Sequence, residues 1–275
     1  MNILFLGGDT RYIYMAQELS HKHSVSMIGF NSVNNNKINK KDIECLNINN
    51  YDIVILPMNG INDNMEIKSI DRQIKLNENF FKFIKDTCIF FTGLKTKNVI
   101  KFIPNNQIVS FLDDENVTKQ NNHLTCLGIL DEINKLNYNS VCILGYGNIG
   151  KEVYKLLENK HIKTYIGLSP YDEPNLDLNN SFLISDETKM IDAFKHYDIV
   201  INTIPSNIIS ENVIKQSSCY ILDIASSPHG INQDLVKKYK INYRLYLGIP
   251  SKFAPLDASK ILLDSIQKVV DYIWK

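Results

Sequence analysis

Apolar strands alternating with amphipathic helices along most of the chain predict an α/β protein of two Rossmann-like domains. Each has a parallel sheet, and a cleft separates the two. Three observations carry this prediction. The second half alternates strand and helix almost without interruption, and continuous apolar strands need cover on both faces, which crossover helices supply. Residues 141–150, VCILGYGNIG, set a GxGxxG spacing between an apolar strand and a helical run, the context in which it holds a dinucleotide. The first half opens in the same way, with an apolar strand running into GGDTR.

In the first half, a strand over Asn2–Leu6 ends in Gly7-Gly8-Asp9-Thr10-Arg11 and leads to a helix reaching Lys22. Strands follow at Ser24–Phe30, Asp52–Leu56 and Cys88–Phe91, with a helix at Asn77–Asp86. The Asn-rich stretch Asn31–Lys41 and the segment Asn59–Met65 read as loops. Gly7-Gly8-Asp9 resembles a phosphate loop, but the third glycine is missing and Tyr12 stands where the backbone would have to come close. A substrate-facing loop is the better reading. A polar stretch over Leu112–His123 marks the boundary, followed by a helix from Leu124 to Leu136.

The second half reads as strand Ser140–Leu144, helix Gly150–Asn159 and strand Lys163–Leu168, then a short strand at Phe182–Ile184 and helix Glu187–His196. Strand Asp198–Asn202, helix Ser210–Gln216, strand Cys219–Ile224, helix Asn232–Tyr239 and strand Tyr243–Leu247 complete it. Leu262, Ile266, Val269 and Ile273 share one face of a final amphipathic helix. The expected domains are a substrate or partner domain over 1–120, a nucleotide domain over 121–255, and a helix over 256–275 packing back on the core.

Composition excludes several classes. The formal net charge of the 275 residues is zero, so nothing favours a grip on nucleic acid or anionic membrane. No apolar run approaches the ~20 residues of a membrane span. The N-terminus lacks the basic start of a signal peptide. Cys45, Cys88, Cys126, Cys142 and Cys219 are scattered and form no CxxC pair, which suits buried thiols in a reducing cytoplasm. The dispersed histidines give no metal-ligand spacing, so no metal is expected.

In the fingerprint, Gly145 serves the tight turn, Gly147 the approach of the pyrophosphate and Gly150 the packing of helix on strand. Gly145, Tyr146, Gly147, Asn148, Ile149 and Gly150 are therefore the first cofactor-binding candidates, with the helix N-terminus facing the phosphates. The position ~20 residues past the glycines, where an acid usually binds the ribose, is Leu168. Ser169 follows it, and Asp172 and Glu173 can serve NAD if the loop folds back. Thr203-Ile204-Pro205-Ser206 ends a buried strand on the ligand side of the sheet. Thr203, Ile204 and Pro205 join the cofactor set, although a helix cap at Ser206 explains the same residues. Ser226, Ser227 and His229 follow the next strand. A histidine there can shuttle a proton, or simply face solvent.

Several separated stretches, in order along nearly the whole chain, resemble the A-subunit of the dipicolinate synthases of endospore-forming bacteria. They are Gly7–Arg11, Phe91–Leu94, Gly145–Gly150, Ile201–Ser206, Leu222–Pro228 and Gly248–Pro255. The resemblance implies a nucleotide-binding subunit that works with a flavoprotein-like B-subunit. Together they oxidise a dihydrodipicolinate-type intermediate of the lysine pathway to dipicolinate, with NADP favoured and NAD possible, in the mother-cell cytoplasm of a sporulating bacterium. Homo-oligomers are compatible with it.

A dicarboxylate substrate needs cations. Arginine occurs only at 11, 72 and 244. Arg11, Asp9 and Ser227 are the substrate-binding candidates, with Arg11 alternatively in a salt bridge at the helix start. Lys252, His229 and Ser226 are the catalytic candidates. Two departures from the family pattern stand out. Its Pro-Thr-x-Glu-Gly motif corresponds to Leu124-Thr125-Cys126-Leu127-Gly128, which lacks the acid, and its arginine after the second nucleotide-domain strand corresponds to Ser169. They keep open a regulatory or divergent paralogue without turnover. A relative of 2-hydroxyacid dehydrogenases or adenosylhomocysteine hydrolases is a further alternative.

Overall fold

The computed structural model describes residues 1–32, 36–172 and 180–273. The chain forms two compact units, Met1–Asn121 with Pro250–Lys275, and Asn122–Ile249.

The first unit runs β1 (Asn2–Leu6), α1 (Thr10–Leu19), β2 (Ser24–Ile28), β3 (Ile38–Lys40) and β4 (Ile53–Ile55). An antiparallel hairpin of β5 (Glu66–Lys68) and β6 (Gln73–Lys75) interrupts it before β7 (Ile89–Thr92), α2 (Lys97–Phe102) and β8 (Ile108–Ser110). The six-stranded sheet has the order β3-β2-β1-β4-β7-β8, all parallel. Ile3–Leu6 and Ile53–Ile55 are fully buried, as the middle of a sheet covered on both faces requires.

α3 (Glu115–Leu136) leads into the second unit. There β9 (Ser140–Leu144), α4 (Asn148–Glu158), β10 (Lys163–Leu168), β11 (Ser181–Leu183), α5 (Glu187–His196) and β12 (Ile199–Asn202) follow one another. α6 (Glu211–Lys215), β13 (Tyr220–Asp223), α7 (Gln233–Tyr239) and β14 (Tyr243–Leu245) complete the unit. Its sheet, β11-β10-β9-β12-β13-β14, is again parallel throughout. α8 (Ile249–Phe253) and α9 (Pro255–Ile273) return the chain to the first unit, where α9 packs on α1 and buries Ile261, Leu262 and Ile266.

Both sheets tie their first strand to their fourth with an aspartate. Asp52 accepts the Asn2 N–H at 2.7 Å, and Asp198 accepts those of Asn139 and Ser140 at 3.0 and 2.8 Å.

The structure departs from the sequence expectation at four places. The polar stretch before Leu124 is already helix, because Asp114 accepts the N–H groups of Asn116 and Val117 and starts α3 at Glu115. The helix expected at Asn77–Asp86 is a single tight turn over Glu78–Phe81. Phe81 is buried while Phe83 is 71 % exposed, a distribution that follows no helical stripe. Within the Asn-rich loop Ile38–Lys40 forms β3, anchored by buried Ile38 beside Val25; residues 33–35 lie outside the described residues. The β5–β6 hairpin and β8 are three-residue strands, too short to show a period.

Cys88, Cys126, Cys142 and Cys219 are buried free thiols. Burial pushes Cys88 and Cys126 up to about 12 and Cys219 to about 11, which suits inert core residues. The side chain of Cys45 lies outside the described part. Among the described residues no helix is long and apolar enough to cross a membrane, and no His, Cys, Asp and Glu cluster could hold a metal.

Candidate nucleotide site

β9 ends at Leu144, and the chain turns at Gly145 with φ +98°, a conformation that glycine adopts without strain. A Cβ on Gly145 would lie 2.5 Å from Thr203 Oγ1, and one on Gly150 would lie 2.1 Å from the Gly145 carbonyl oxygen. These two glycines are therefore required by the protein itself. Gly147 is different. It is exposed, its φ is −74°, and a Cβ there meets nothing within 4 Å. No side chain caps α4, so the N–H groups of its first turn face this open space with the positive end of the helix dipole. An anion fits there, and these features suit a dinucleotide pyrophosphate.

Thr203 and Ile204 stand against the Gly145 turn, close enough that a Cβ on that glycine would also lie 2.8 Å from Ile204 Cγ1. Thr203 Oγ1 donates to the Leu144 carbonyl at 2.9 Å. Pro205 is exposed beyond them. Tyr146 is buried and meets Tyr154 edge-on, while Asn148 is exposed and Ile149 half-buried. Ser169, after β10, donates its N–H to Asp172. Glu173 lies outside the described residues.

The loop after β13 is organised by a residue that sequence reasoning missed as a site element. Asp223 is fully buried and accepts from four donors. They are Asn202 Nδ2 at 2.9 Å, the Ala225 N–H at 3.2 Å, the Gly230 N–H at 2.8 Å and the Tyr243 hydroxyl at 3.2 Å. Asn202 also donates to the Ile204 carbonyl and accepts the Ile204 N–H. The loops carrying Ile204 and His229 are thus tied together below the strand ends. Burial and the Asp223 carboxylate push the Tyr243 phenol up to about 12, against the Gln233 bond, so its proton stays in place. The available signal was two polar residues, Asn202 and Asp223, closing otherwise apolar strands in register with each other.

His229 is half-buried with φ +70°, unusual for a residue with a side chain. Its Nδ1 lies 2.8 Å from the Ala225 carbonyl. A carbonyl only accepts, so Nδ1 carries the hydrogen and the neutral ring presents its lone pair at Nε2. Ser226 and Ser227 are exposed on the same loop.

Asp9, Arg11 and Lys252 belong to the first unit. Arg11 is 5 % exposed, and its Nε and Nη2 bond Asp9 at 2.9 and 2.6 Å. Burial opposes the charge, and the Asp9 carboxylate overcomes it, raising the Arg11 pKa. Asp9 also caps α1 through the Arg11 N–H. Lys252 is exposed on α8. The other arginines also pair with carboxylates, Arg72 with Asp42 and Arg244 with Glu132.

Comparison with known proteins bears on the whole chain. Residues 2–111 match the family described as the N-terminal domain of the dipicolinate synthase A-subunit. A curated relative, the dipicolinate synthase A-subunit of Bacillus subtilis (strain 168), is 23 % identical across 98 % of this chain and 96 % of its own length. Residues 2–111 thus carry the N-terminal domain of the dipicolinate synthase A-subunit, and the chain is similar to that subunit over nearly its whole length.

The crystal structure of the dipicolinate synthase A-subunit from Bacillus halodurans superposes with a TM-score of 0.78 at 23 % identity, covering 98 % of this chain and 97 % of that one. The fold extends to 2-hydroxyacid dehydrogenases. The NAD-complexed D-isomer-specific enzyme of Lactobacillus delbrueckii ssp. bulgaricus gives a TM-score of 0.51 at 14 % identity, over 100 % and 98 % of the two chains. The fold expectation, α/β with two Rossmann-like parallel sheets, therefore holds, and so does the family resemblance.

Proposed function

We propose that this chain is the nucleotide-binding subunit of a dipicolinate synthase, oxidising a dihydrodipicolinate-type dicarboxylate of the lysine pathway to dipicolinate. The observation that carries this reading is the open Gly147 position over the first turn of α4 in a chain similar to that subunit. The substrate loses two electrons and two hydrogens. When bound, a nicotinamide dinucleotide supplies the acceptor for both electrons and one hydrogen. The second hydrogen leaves as a proton, and His229 Nε2 is the group we assign to take it. Ser226 and Ser227, on the same loop, offer hydroxyls to a carboxylate. Thr203, Ile204 and Pro205 border the Gly145 turn and hold the nicotinamide half in register with that loop. Asn148 and Ile149 present backbone N–H groups to the phosphates, and Tyr146, whose N–H is taken by Asp172, shapes the loop before them.

Lys252 in catalysis and Arg11 with Asp9 in substrate binding are separate proposals. They rest on the family resemblance and the scarcity of arginine. The two oxygens of Asp9 already engage Arg11, so this pair presents a small net charge and suits hydrogen bonding better than charge neutralisation. The family name implies a second, B-type component, and we propose that turnover requires it.

The test is co-expression of this chain with its B-subunit, supplied with dihydrodipicolinate-generating enzymes and NAD or NADP, with dipicolinate followed by its ultraviolet absorbance. Product requiring both chains supports the reading. Binding of nucleotide without product, with an active B-subunit present, overturns it in favour of a regulatory paralogue. That outcome would fit the missing acid at Leu127. In the active complex, His229→Gln is expected to lower turnover by about 100-fold or more with nucleotide affinity unchanged.

A further inference from the structure

The turn after β10 places a carboxylate on the glycine loop. β10 lies beside β9, and the Gly145 N–H donates to the Gly167 carbonyl at 2.8 Å, so the ends of the two strands are level. The Asp172 N–H returns to the Ser169 carbonyl at 3.1 Å and closes a turn. Its Oδ2 accepts the Ser169 N–H at 2.7 Å and the Tyr146 N–H at 3.1 Å. The first of these bonds belongs to the turn. The second does not, because it crosses to the residue between the first two glycines of the fingerprint.

We propose that Asp172 makes the site selective for a dinucleotide whose adenosine ribose has a free 2′-hydroxyl, so that the chain takes NAD and rejects NADP. The inference rests on the dinucleotide reading of the Gly147 loop. With the pyrophosphate at the start of α4, the adenosine ribose lies over the C-terminal end of β10, where this carboxylate is held. Two N–H groups occupy part of the carboxylate, and its remaining lone pairs accept from ribose hydroxyls. A 2′-phosphate would instead bring about two negative charges against a fixed one. The residue that follows β10, Ser169, adds no cation. Lys151 is the cation that contacts the same tyrosine, its Nζ 5.5 Å from the centre of the Tyr146 ring, and it is the group that a 2′-phosphate would have to recruit. NAD selectivity would depart from the NADP that the family resemblance favours.

Titration calorimetry on the full chain tests this, with NAD, NADP, 5′-AMP and adenosine 2′,5′-bisphosphate, on the native protein and on Asp172→Ser and Lys151→Ala. NAD is expected to bind at least about tenfold more tightly than NADP, and 5′-AMP more tightly than the bisphosphate. In Asp172→Ser the preference should vanish through a gain in NADP affinity. Equal or tighter binding of NADP by the native protein overturns the proposal while leaving the dinucleotide site intact. Loss of that NADP binding in Lys151→Ala would then assign the phosphate to Lys151. Binding of neither dinucleotide by the native protein removes the dinucleotide reading and this proposal with it. If Asp172→Ser melts early, the ratio of the two adenosine fragments on the native protein decides.

Discussion

The two units begin alike and diverge at their first turn. In each, a buried strand ends in glycines before a helix, and in each an aspartate just before the fourth strand clasps the start of the first. The glycine loop of the second unit leaves Gly147 open. That of the first is closed by its own unit. The Gly8 N–H, placed where it would meet a phosphate, donates to the Lys68 carbonyl of the β5–β6 hairpin at 2.9 Å. A Cβ on Gly7 would lie 2.6 Å from that same oxygen, and one on Gly8 would lie 2.4 Å from the Tyr12 ring. Asp9 and Arg11 seal the helix start. One architecture thus leaves an open loop in one place and makes a packed joint in the other. The glycines do not decide between these uses; what covers them does.

Exchanging the two kinds of glycine should break that comparison most sharply. Gly7 has φ +72° as well as the Lys68 contact. Gly7→Val is expected to destabilise the chain by about 3 kcal/mol or more, read by urea unfolding, without changing nucleotide affinity wherever the chain remains folded. Gly147→Val should do the reverse. Its backbone is ordinary and its surroundings empty, so stability should fall by about 1 kcal/mol or less, while nucleotide affinity should drop by roughly 100-fold as the branched side chain fills the phosphate space. Full affinity in that variant would remove the proposed site.

The Asp223 knot sharpens the contrast, because in the second unit a buried carboxylate ties two loops together at the strand ends. Asp223→Ala leaves the Ala225 and Gly230 N–H groups without their acceptor and should cost about 2–3 kcal/mol. Nucleotide binding should weaken while the first unit's own melting, followed by hydrogen exchange, is unaffected.

The smallest effect belongs to the shared aspartate clasp. The Asn139 and Ser140 bonds hold Asp198 below the usual carboxylate value. At Asp52 burial acts upward, and the Lys85 and Asn2 bonds outweigh it. A folded pKa below the unfolded one contributes stability that is present above about pH 4 and lost as pH falls through the folded value. Asp52→Asn and Asp198→Asn should each flatten the acid limb of a stability-versus-pH profile. A profile unchanged by both would show that the clasp contributes nothing to acid stability.

Much of this was legible in the residues alone. The helix over Glu187–His196 and the strands Asn2–Leu6, Ser140–Leu144 and Lys163–Leu168 have the ends that periodicity predicts. Their residues repeat long enough for the pattern to identify itself. The fingerprint was legible because strand, glycines and helix are consecutive. Three-residue β3, β5, β6 and β8 were not, since so short a strand is defined by its neighbour and not by its own period. The start of α3 depended on one capping carboxylate, Asp114, within a stretch whose polarity reads as a linker.

The amino-acid sequence by itself determined the fold class, the family resemblance and the place of the glycine loop, because each is written in the spacing of consecutive residues. Tertiary structure decided which glycine loop stays open, which carboxylate reaches it and which buried acid ties its neighbours together. Lys68 lies 60 positions from Gly8, Asp172 lies 26 from Tyr146, and Asp223 lies 21 from Asn202. A hydrogen bond at about 3 Å depends on where the chain returns, and no local pattern encodes that return.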